Sequence, residues 1–179
     1  MQFTGFHEVL PKIAEKETRC VTILGDLGVP KGEYVFLDVH CADKTCDCRR
    51  VFINVMKMTP RSAEHIATIS YGWESLAFYR KWSLGLSNEM LIEFKGPCLD
   101  RFQKQSPHAP YFLDFFKNMI ATDTAYVNRL KKHYKLFKWR TGMKLPKDIP
   151  FDPLMLCPCG SEAKFKFCCG RKGILPSNS

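Results

Sequence analysis

The chain has 179 residues and a formal net charge of +9; 45% of its residues are hydrophobic and 25% are charged. This length suits one well-buried domain with an appendage and makes two full domains crowded. The composition is typical of a soluble globular protein. We expect a cytoplasmic location, because no apolar run is long enough to span a membrane and the N-terminal residues lack the basic-then-apolar layout of a signal peptide.

The first half of the chain predicts a short helix followed by a three-stranded sheet. Apolar residues at helical spacing indicate an amphipathic helix within residues 6–16, whose first turn contains Pro11. Residues 20–27 are apolar but remain unassigned. Three runs rich in β-branched, aromatic and aliphatic residues predict an antiparallel meander, with strands at residues 33–41, 49–58 and 65–71.

The second half predicts mainly helices. Apolar spacing indicates a helix over residues 73–82, whereas residues 90–94 fit either a strand or a helical turn. The Ser106-Pro107 pair fits the cap and first turn of a second helix. A third helix, capped by Thr122 or Asp123, runs on to residue 140.

These patterns divide the chain into four segments. Residues 1–142 are predicted to form an α+β domain, in which a small antiparallel sheet is packed with helices and carries a cysteine-rich hairpin. Residues 143–156 contain three prolines and no period, which indicates a linker. Residues 157–170 are predicted to form a zinc knuckle, and residues 171–179 a flexible tail.

The positive charge is confined to the last third of the chain. Residues 1–116 contain 14 Lys and Arg against 14 Asp and Glu, whereas residues 117–179 contain 13 against 4. A one-sided basic segment favours an anionic partner, although a solvated helix face that keeps the protein soluble is the alternative. The candidate contact residues are Arg129, Lys131, Lys132, Lys135, Lys138, Arg140, Lys164 and Lys166.

The helix over residues 122–140 mixes these cations with aromatic residues. Tyr134, Phe137 and Trp139 suit base stacking beside lysines that meet phosphates, or else they belong to the core. His133 is expected at the surface.

Four of the nine cysteines lie within thirteen residues near the C-terminus: Cys157, Cys159, Cys168 and Cys169. Four thiols are the number that a closed tetrahedral zinc site needs, and an all-sulfur set selects zinc or iron over calcium or magnesium. The Gly160-Ser161 pair suits a tight turn, and residues 164–167 alternate like a short strand, so the run predicts a self-contained knuckle. Buried or disulfide-bonded cysteines are the alternative, which such dense spacing in a cytoplasmic chain disfavours.

Residues 157–170 resemble the SEC-C motif, the small metal-binding module at the C-terminus of the SecA translocase and of many otherwise unrelated bacterial proteins. The matching runs are Cys157-Pro158-Cys159-Gly160-Ser161, Lys164-Phe165-Lys166 and Cys168-Cys169-Gly170. The resemblance covers under a tenth of the chain and implies that the four cysteines are metal ligands. It also implies a module that docks on proteins, ribosomes or lipid head groups and does not catalyse a reaction.

Three further cysteines, Cys41, Cys46 and Cys48, lie at the predicted turn between the first two sheet strands. A hairpin end brings them together, which makes a second site for zinc or iron plausible, and one or two ions per chain are expected. Ordinary surface and core thiols are the alternative. The fourth ligand is left open among His40, His65, Asp47, Cys98 and a water molecule.

The leading functional hypothesis is a cytoplasmic zinc-binding adaptor that docks through its basic C-terminal third on an anionic or protein partner, such as a ribosome, nucleic acid or a translocation-type partner. The alternative is a metal-dependent enzyme, in which an open zinc site at the hairpin cysteines activates water. A third hypothesis makes both metals structural staples. The chain has no phosphate-binding glycine loop, dinucleotide fingerprint, nucleophile elbow or His-Glu-x-x-His run, so an enzyme is disfavoured and no catalytic residue is assigned.

Overall fold

The computed structural model describes most of the chain, namely residues 2–25, 27–83, 85–145, 152–159 and 161–171. The centre of the predicted linker, residues 146–151, and the predicted tail from residue 172 onwards lie outside this part. No helix within it combines the length and the apolar character that a membrane span requires.

The described residues form an α+β fold, as predicted, in which helices pack on one antiparallel sheet. The strands in this part of the chain are β1 (Phe3–Gly5), β2 (Arg19–Ile23), β3 (Gly32–Cys41), β4 (Arg50–Met58), β5 (Ala63–Gly72) and β6 (Cys98–Leu99). The α-helices are α1 (Phe6–Val9), α2 (Pro11–Glu17), α3 (Leu76–Ser83), α4 (Asn88–Lys95), α5 (Ala109–Phe115) and α6 (Thr124–Arg140). A π-helical turn, Phe116–Ile120, extends α5.

The predicted meander is confirmed, because β3, β4 and β5 are neighbours in the order β1-β3-β4-β5-β6 and pair antiparallel. The outer edge of β3 pairs with two short strands. Phe3 of β1 lies opposite Cys41, and Ile23 of β2 lies opposite Gly32 at the other end. β2 largely coincides with residues 20–27, the run for which no element was predicted. Only Ile23 of this strand is buried, so few of its residues mark a strand that faces the core.

Strand β3 turns alternate residues towards the helices. Tyr34, Phe36, Asp38 and His40 share this face and are all buried. The face is therefore apolar at one end of the strand and polar at the other. The polar end lies beside α6, where it forms the network described below.

Two clusters of buried apolar residues hold the fold together. The larger joins one face of the sheet to α5, the π-helical turn and the first half of α6. The smaller joins α1 and α2 to Leu136 and Phe137 of α6 and to Met155, Cys157 and Phe165. Met155, Cys157 and Phe165 of the C-terminal segment, residues 152–159 and 161–171, thus pack in one cluster with the N-terminal helices.

Helix α6 begins and ends as the sequence predicts. Asp123 caps it, since its Oδ1 accepts hydrogen bonds from the backbone N–H groups of Ala125 at 2.9 Å and Tyr126 at 3.2 Å. The helix ends at Arg140, and Gly142 follows with a φ of 69°. Only a residue that tolerates a left-handed backbone fits there.

Several predicted elements differ from the structure. The helix predicted within residues 6–16 is split at Leu10, because Pro11 cannot continue a helix and instead opens α2. The ambiguous residues 90–94 belong to α4, which Ser87 caps. α5 starts at Ala109, two residues after the predicted first turn. The strand predicted over residues 164–167 is wrong: Phe165–Phe167 is a 3-10 helical turn, and only Lys164 makes a bridge, to Leu156.

Candidate metal centres

The four C-terminal cysteines converge on one point. The Sγ atoms of Cys157, Cys159, Cys168 and Cys169 all lie within 4.8 Å of one another. All nine cysteines are free thiols, and Cys159 Sγ lies 3.4 Å from Cys168 Sγ, far beyond a disulfide bond of about 2.05 Å. The four sulfurs could therefore surround a single metal ion.

Backbone hydrogen bonds build this arrangement. The amide of Cys157 donates to Ala163 O at 2.7 Å, which places the first thiol across from the segment that leads to the last two. The 3-10 turn then reverses the chain, since the amides of Cys168 and Gly170 both donate to Phe165 O, at 3.0 and 2.9 Å. A Cβ at Gly170 would lie 2.8 Å from that oxygen, so glycine is required at this position.

The four thiols do not ionise alike. Hydrogen bonds from Ser161 and Cys157 lower the pKa of the exposed Cys159 thiol to about 6. Burial and the neighbouring Cys157 and Cys159 raise the pKa of Cys169 to about 12. Four thiolates repel one another at this distance, and a cation among them would offset that repulsion.

The hairpin cysteines also converge. The Sγ atoms of Cys41, Cys46 and Cys48 lie within 4.8 Å of one another, where β3 ends and before β4 begins. Cys41 and Cys48 are buried and Cys46 is half-buried. Hydrogen bonds from Cys46 and Cys48 hold the pKa of Cys41 well below its usual range. The hydrogen bond between Cys48 and Cys41 in turn raises the pKa of Cys48.

Arg49 fixes the chain directly after Cys48. Its φ of 46° is uncommon for a residue other than glycine. Tyr79 Oη donates to Arg49 O at 2.8 Å, and the guanidinium contacts Asp47 and Glu74, each at 3.2 Å. Tyr134 of α6 adds a hydrogen bond to Asp47 Oδ1 at 2.9 Å. These contacts together hold the strained backbone that directs Cys48 towards the other thiols.

The candidate fourth ligands of the hairpin do not join the group that its three thiols form. His40 Nε2 lies 2.9 Å from Asp38, His65 Nε2 lies 2.9 Å from Thr68 Oγ1, and Cys98 donates to Glu93 O at 3.1 Å. Asp47 is held by Tyr134 and Arg49. Among the described residues, the histidine, cysteine and carboxylate side chains that meet within 4.8 Å at the hairpin are the three cysteines alone.

The candidate anion-binding residues do not form one face. Lys135 and Lys138 are buried, at 7% and 1% exposed, and Lys138 Nζ donates to Cys46 O beside the hairpin thiols. Lys132 pairs with Glu17 at 2.5 Å, while the Arg129 guanidinium stacks 5.0 Å from the ring of Tyr126. Lys131 is half-buried. The exposed members of the set are Arg140, Lys164 and Lys166.

His133 is buried at 2% exposure, so its predicted surface position is wrong. Its Nδ1 lies 3.0 Å from Asp38 Oδ2 and its Nε2 lies 3.0 Å from Glu17, while His40 meets the same Asp38 oxygen. Lys132 completes the network at Glu17. A signal for it exists in the sequence, because Asp38 and His40 occupy inward positions of a strand that is otherwise apolar on that face.

The network favours charged carboxylates at Asp38 and Glu17 and a charged imidazole at His133. Burial opposes ionisation of Asp38, but the charge and hydrogen bonds of His133, with those of His40, hold the pKa of Asp38 well below its usual range. Burial likewise opposes the charged form of His133, yet Asp38 and Glu17 raise the pKa of His133 above 6.5. Against its own burial, Glu17 has its pKa lowered to about 2 by His133 and Lys132.

These shifts predict that the stabilisation from the network passes through a maximum with pH. The two carboxylates contribute fully above their unfolded pKa values of 3.8 and 4.5, and they lose that contribution as pH falls towards their folded values. His133 contributes fully below 6.5 and loses its contribution as pH rises through its higher folded pKa. Urea unfolding of the wild type and of His133→Gln across this pH range checks the prediction. The difference between their free energies of unfolding should be largest at about pH 4.5 to 6.5 and decline on both sides. A difference independent of pH would contradict it.

A groove of about 180 Å³ separates the N-terminal helices from the C-terminal cysteine loop. Its floor is mainly apolar, and its rim carries Lys12, Lys16 and Arg140 with one carboxylate, Glu162. The groove is lined on the helix side by Val9, Leu10, Pro11, Lys12, Ile13 and Lys16, and on the other side by Arg140, Leu156, Cys157, Pro158, Cys159 and Glu162.

The described residues thus contain two cysteine groups that could each hold a metal ion, one with four sulfurs and one with three. The four-sulfur group also forms part of a groove wall, which links a possible metal ion to a surface feature. Comparison of the chain with protein-family models, curated proteins and solved structures finds no match, so the resemblance of residues 157–170 to the SEC-C motif stays a prediction.

Proposed function

We propose that this chain is a zinc-binding interaction protein, in which zinc at Cys157, Cys159, Cys168 and Cys169 fixes one wall of a docking groove for an acidic segment of a partner protein. The observation that carries the proposal is the position of the groove, between the cysteine loop and helices α1 and α2. Two of the proposed ligands, Cys157 and Cys159, line that groove themselves. Metal binding and docking would then be coupled through the same few residues.

Zinc is the metal we favour for the C-terminal site. Four thiolates without an open position are the usual ligand set of structural zinc, which does not change its oxidation state. Iron bound by four thiolates is the other metal that such a set accepts. Free thiolates of this kind persist in a reducing compartment, in keeping with the cytoplasmic location expected for the chain.

The chemistry of the groove indicates the kind of partner. An apolar floor formed by residues such as Leu10, Ile13 and Leu156 accepts an aliphatic or aromatic side chain. Three cations against one carboxylate on the rim attract acidic neighbours of that side chain. A nucleic acid would place phosphates and sugars over this apolar floor, whereas a peptide with one apolar anchor between acidic residues matches both the floor and the rim.

Charge reversal on the groove rim is the direct test. We expect a fluorescent peptide with a central leucine flanked by aspartates and glutamates to bind the zinc-loaded protein at low salt. Lys16→Glu combined with Arg140→Glu should weaken this binding at least tenfold, which is about 1.4 kcal/mol, because it turns attraction into repulsion. Fluorescence anisotropy measures the affinity, and raising the salt concentration should also weaken binding.

Three controls accompany this experiment. Arg80→Glu combined with Lys81→Glu on α3 makes the same charge change away from the groove and should leave affinity unchanged. Chelation of the metal should reduce binding, because it releases the wall at residues 156–159. Tight binding of single-stranded RNA with no binding of the acidic peptide would overturn the proposed partner, and peptide binding that ignores both charge reversal and chelation would overturn the groove.

A further inference from the structure

We propose that Cys41, Cys46 and Cys48 bind a second soft divalent metal ion, and that the buried ammonium group of Lys138 balances the charge of this site. The proposal concerns a site separate from the docking groove and is independent of the proposed function. It rests on the convergence of three thiols and on a buried lysine placed against them. The ligand class is a cation that prefers sulfur, for which zinc is the common biological example.

Lys138 has an unusual position for a lysine. It is 1% exposed although lysine is almost never buried without a partner. Its Nζ donates to Cys46 O and lies 5.0 Å from the centre of the Tyr134 ring. These two contacts are neutral, so by themselves they do not compensate a full buried charge. A negative charge close by is needed, and the hairpin thiols are acidic groups of the segment that Lys138 contacts through Cys46 O.

The charges of the site favour a divalent ion. Three thiolates with a divalent ion carry one net negative charge, and the Lys138 ammonium brings the total to zero. A monovalent ion would leave a net negative charge of one in a region where two of the thiols are buried. With no ion, ionisation of all three thiols would leave two uncompensated charges, which the low-dielectric surroundings oppose. When all three thiols are ionised, as metal ligands must be, neutrality therefore requires both the divalent ion and the lysine.

The site also has a structural consequence. Lys138 and Tyr134 belong to α6, and they contact Cys46 and Asp47 of the hairpin. A metal ion at the three thiols would lock the hairpin tip, and Lys138 would attach that tip to the helix. In this arrangement Lys138 is a positioning residue that acts through the thiolates and does not touch the metal.

Cobalt(II) titration of the full-length protein tests the proposal, because thiolate ligands give charge-transfer absorption when cobalt binds. We expect two equivalents in the wild type and one equivalent in Cys46→Ser. In a Cys159→Ser/Cys168→Ser background, which removes ligands of the C-terminal site, one equivalent should remain. Adding Lys138→Met to that background should weaken cobalt binding about 10-fold to 100-fold, as loss of a supporting partner of a metal ligand does. Lys138→Arg, which keeps the charge, should restore much of the affinity.

Lys131→Met is the matched control, because it makes the same change two helical turns earlier on the same face of α6. It should leave cobalt affinity unchanged, and circular dichroism should show that every variant is folded. A wild type that binds a single equivalent, retained in Cys46→Ser, would overturn the site. A folded Lys138→Met variant that binds cobalt as tightly as Lys131→Met would overturn the role of the lysine.

Discussion

Replacing Asp38 by asparagine is expected to destabilise the protein by about 3–5 kcal/mol, the usual effect of breaking a buried charge pair. One oxygen of this carboxylate meets both His40 Nε2 at 2.9 Å and His133 Nδ1 at 3.0 Å, with Asp38 only 5% exposed. Asparagine keeps the size of the side chain but removes its charge. The positive charge that His133 carries would then lose one of its two carboxylate partners in the protein interior.

Urea unfolding at about pH 6 measures this effect, since the network contributes most in that range. Asp114→Asn is the control, because Asp114 is exposed and its nearest cation, Lys117 Nζ, is 3.9 Å away. Its effect should stay within about 0.5 kcal/mol. If Asp38→Asn were as mild as this control, the network would not contribute to stability as its geometry implies.

The second large effect is expected from Cys157→Ser. Cys157 is 2% exposed, packs in the smaller apolar cluster and supplies one of the four converging sulfurs. Its loss should remove one equivalent of bound metal and release the C-terminal segment from α1 and α2. Binding of zinc by small cysteine-rich folds contributes about 10–16 kcal/mol of apparent free energy, which is comparable to the whole stability of a domain.

Two measurements check this second prediction. Elemental analysis of the purified protein gives the metal content, and limited proteolysis reports whether the C-terminal segment has become accessible. Cys20→Ser serves as the control, since Cys20 is exposed and lies outside both cysteine groups. An unchanged metal content in Cys157→Ser would contradict the assignment of this ligand.

The smaller apolar cluster gives the N-terminal helices a role that their sequence does not reveal. Phe6 stacks on the His133 ring with a centroid separation of 3.9 Å, and Ile13 belongs to the same cluster as Cys157 and Phe165. Helices α1 and α2 therefore lie between the buried charge network and the C-terminal thiols. Disrupting the charge network should therefore affect the C-terminal thiols, and the reverse should also hold, because both depend on the same packed side chains of α1 and α2.

Local patterns in the sequence were sufficient for much of the fold. Runs of β-branched, aromatic and aliphatic residues joined by a short loop predicted that β3 and β4 pair antiparallel, and Thr122 or Asp123 marked the start of α6, because composition and capping depend on neighbours a few residues apart. The same reasoning failed where the chain makes brief or irregular turns. Leu10 and residues 164–167 are examples, since a proline and a cysteine loop imposed geometries that no period describes.

The sequence by itself predicted the two cysteine groups, because the cysteines are densely spaced around segments that are expected to turn. Only the tertiary structure decided what surrounds them. Lys138 reaches Cys46 across 92 residues and His133 reaches Asp38 across 95, and such contacts depend on how α6 crosses the sheet. Spacing shows which face of an element is buried, but the partner on the other side is set by packing between distant segments. For that reason a lysine predicted to bind an anionic partner is itself buried and lies instead beside the hairpin thiols.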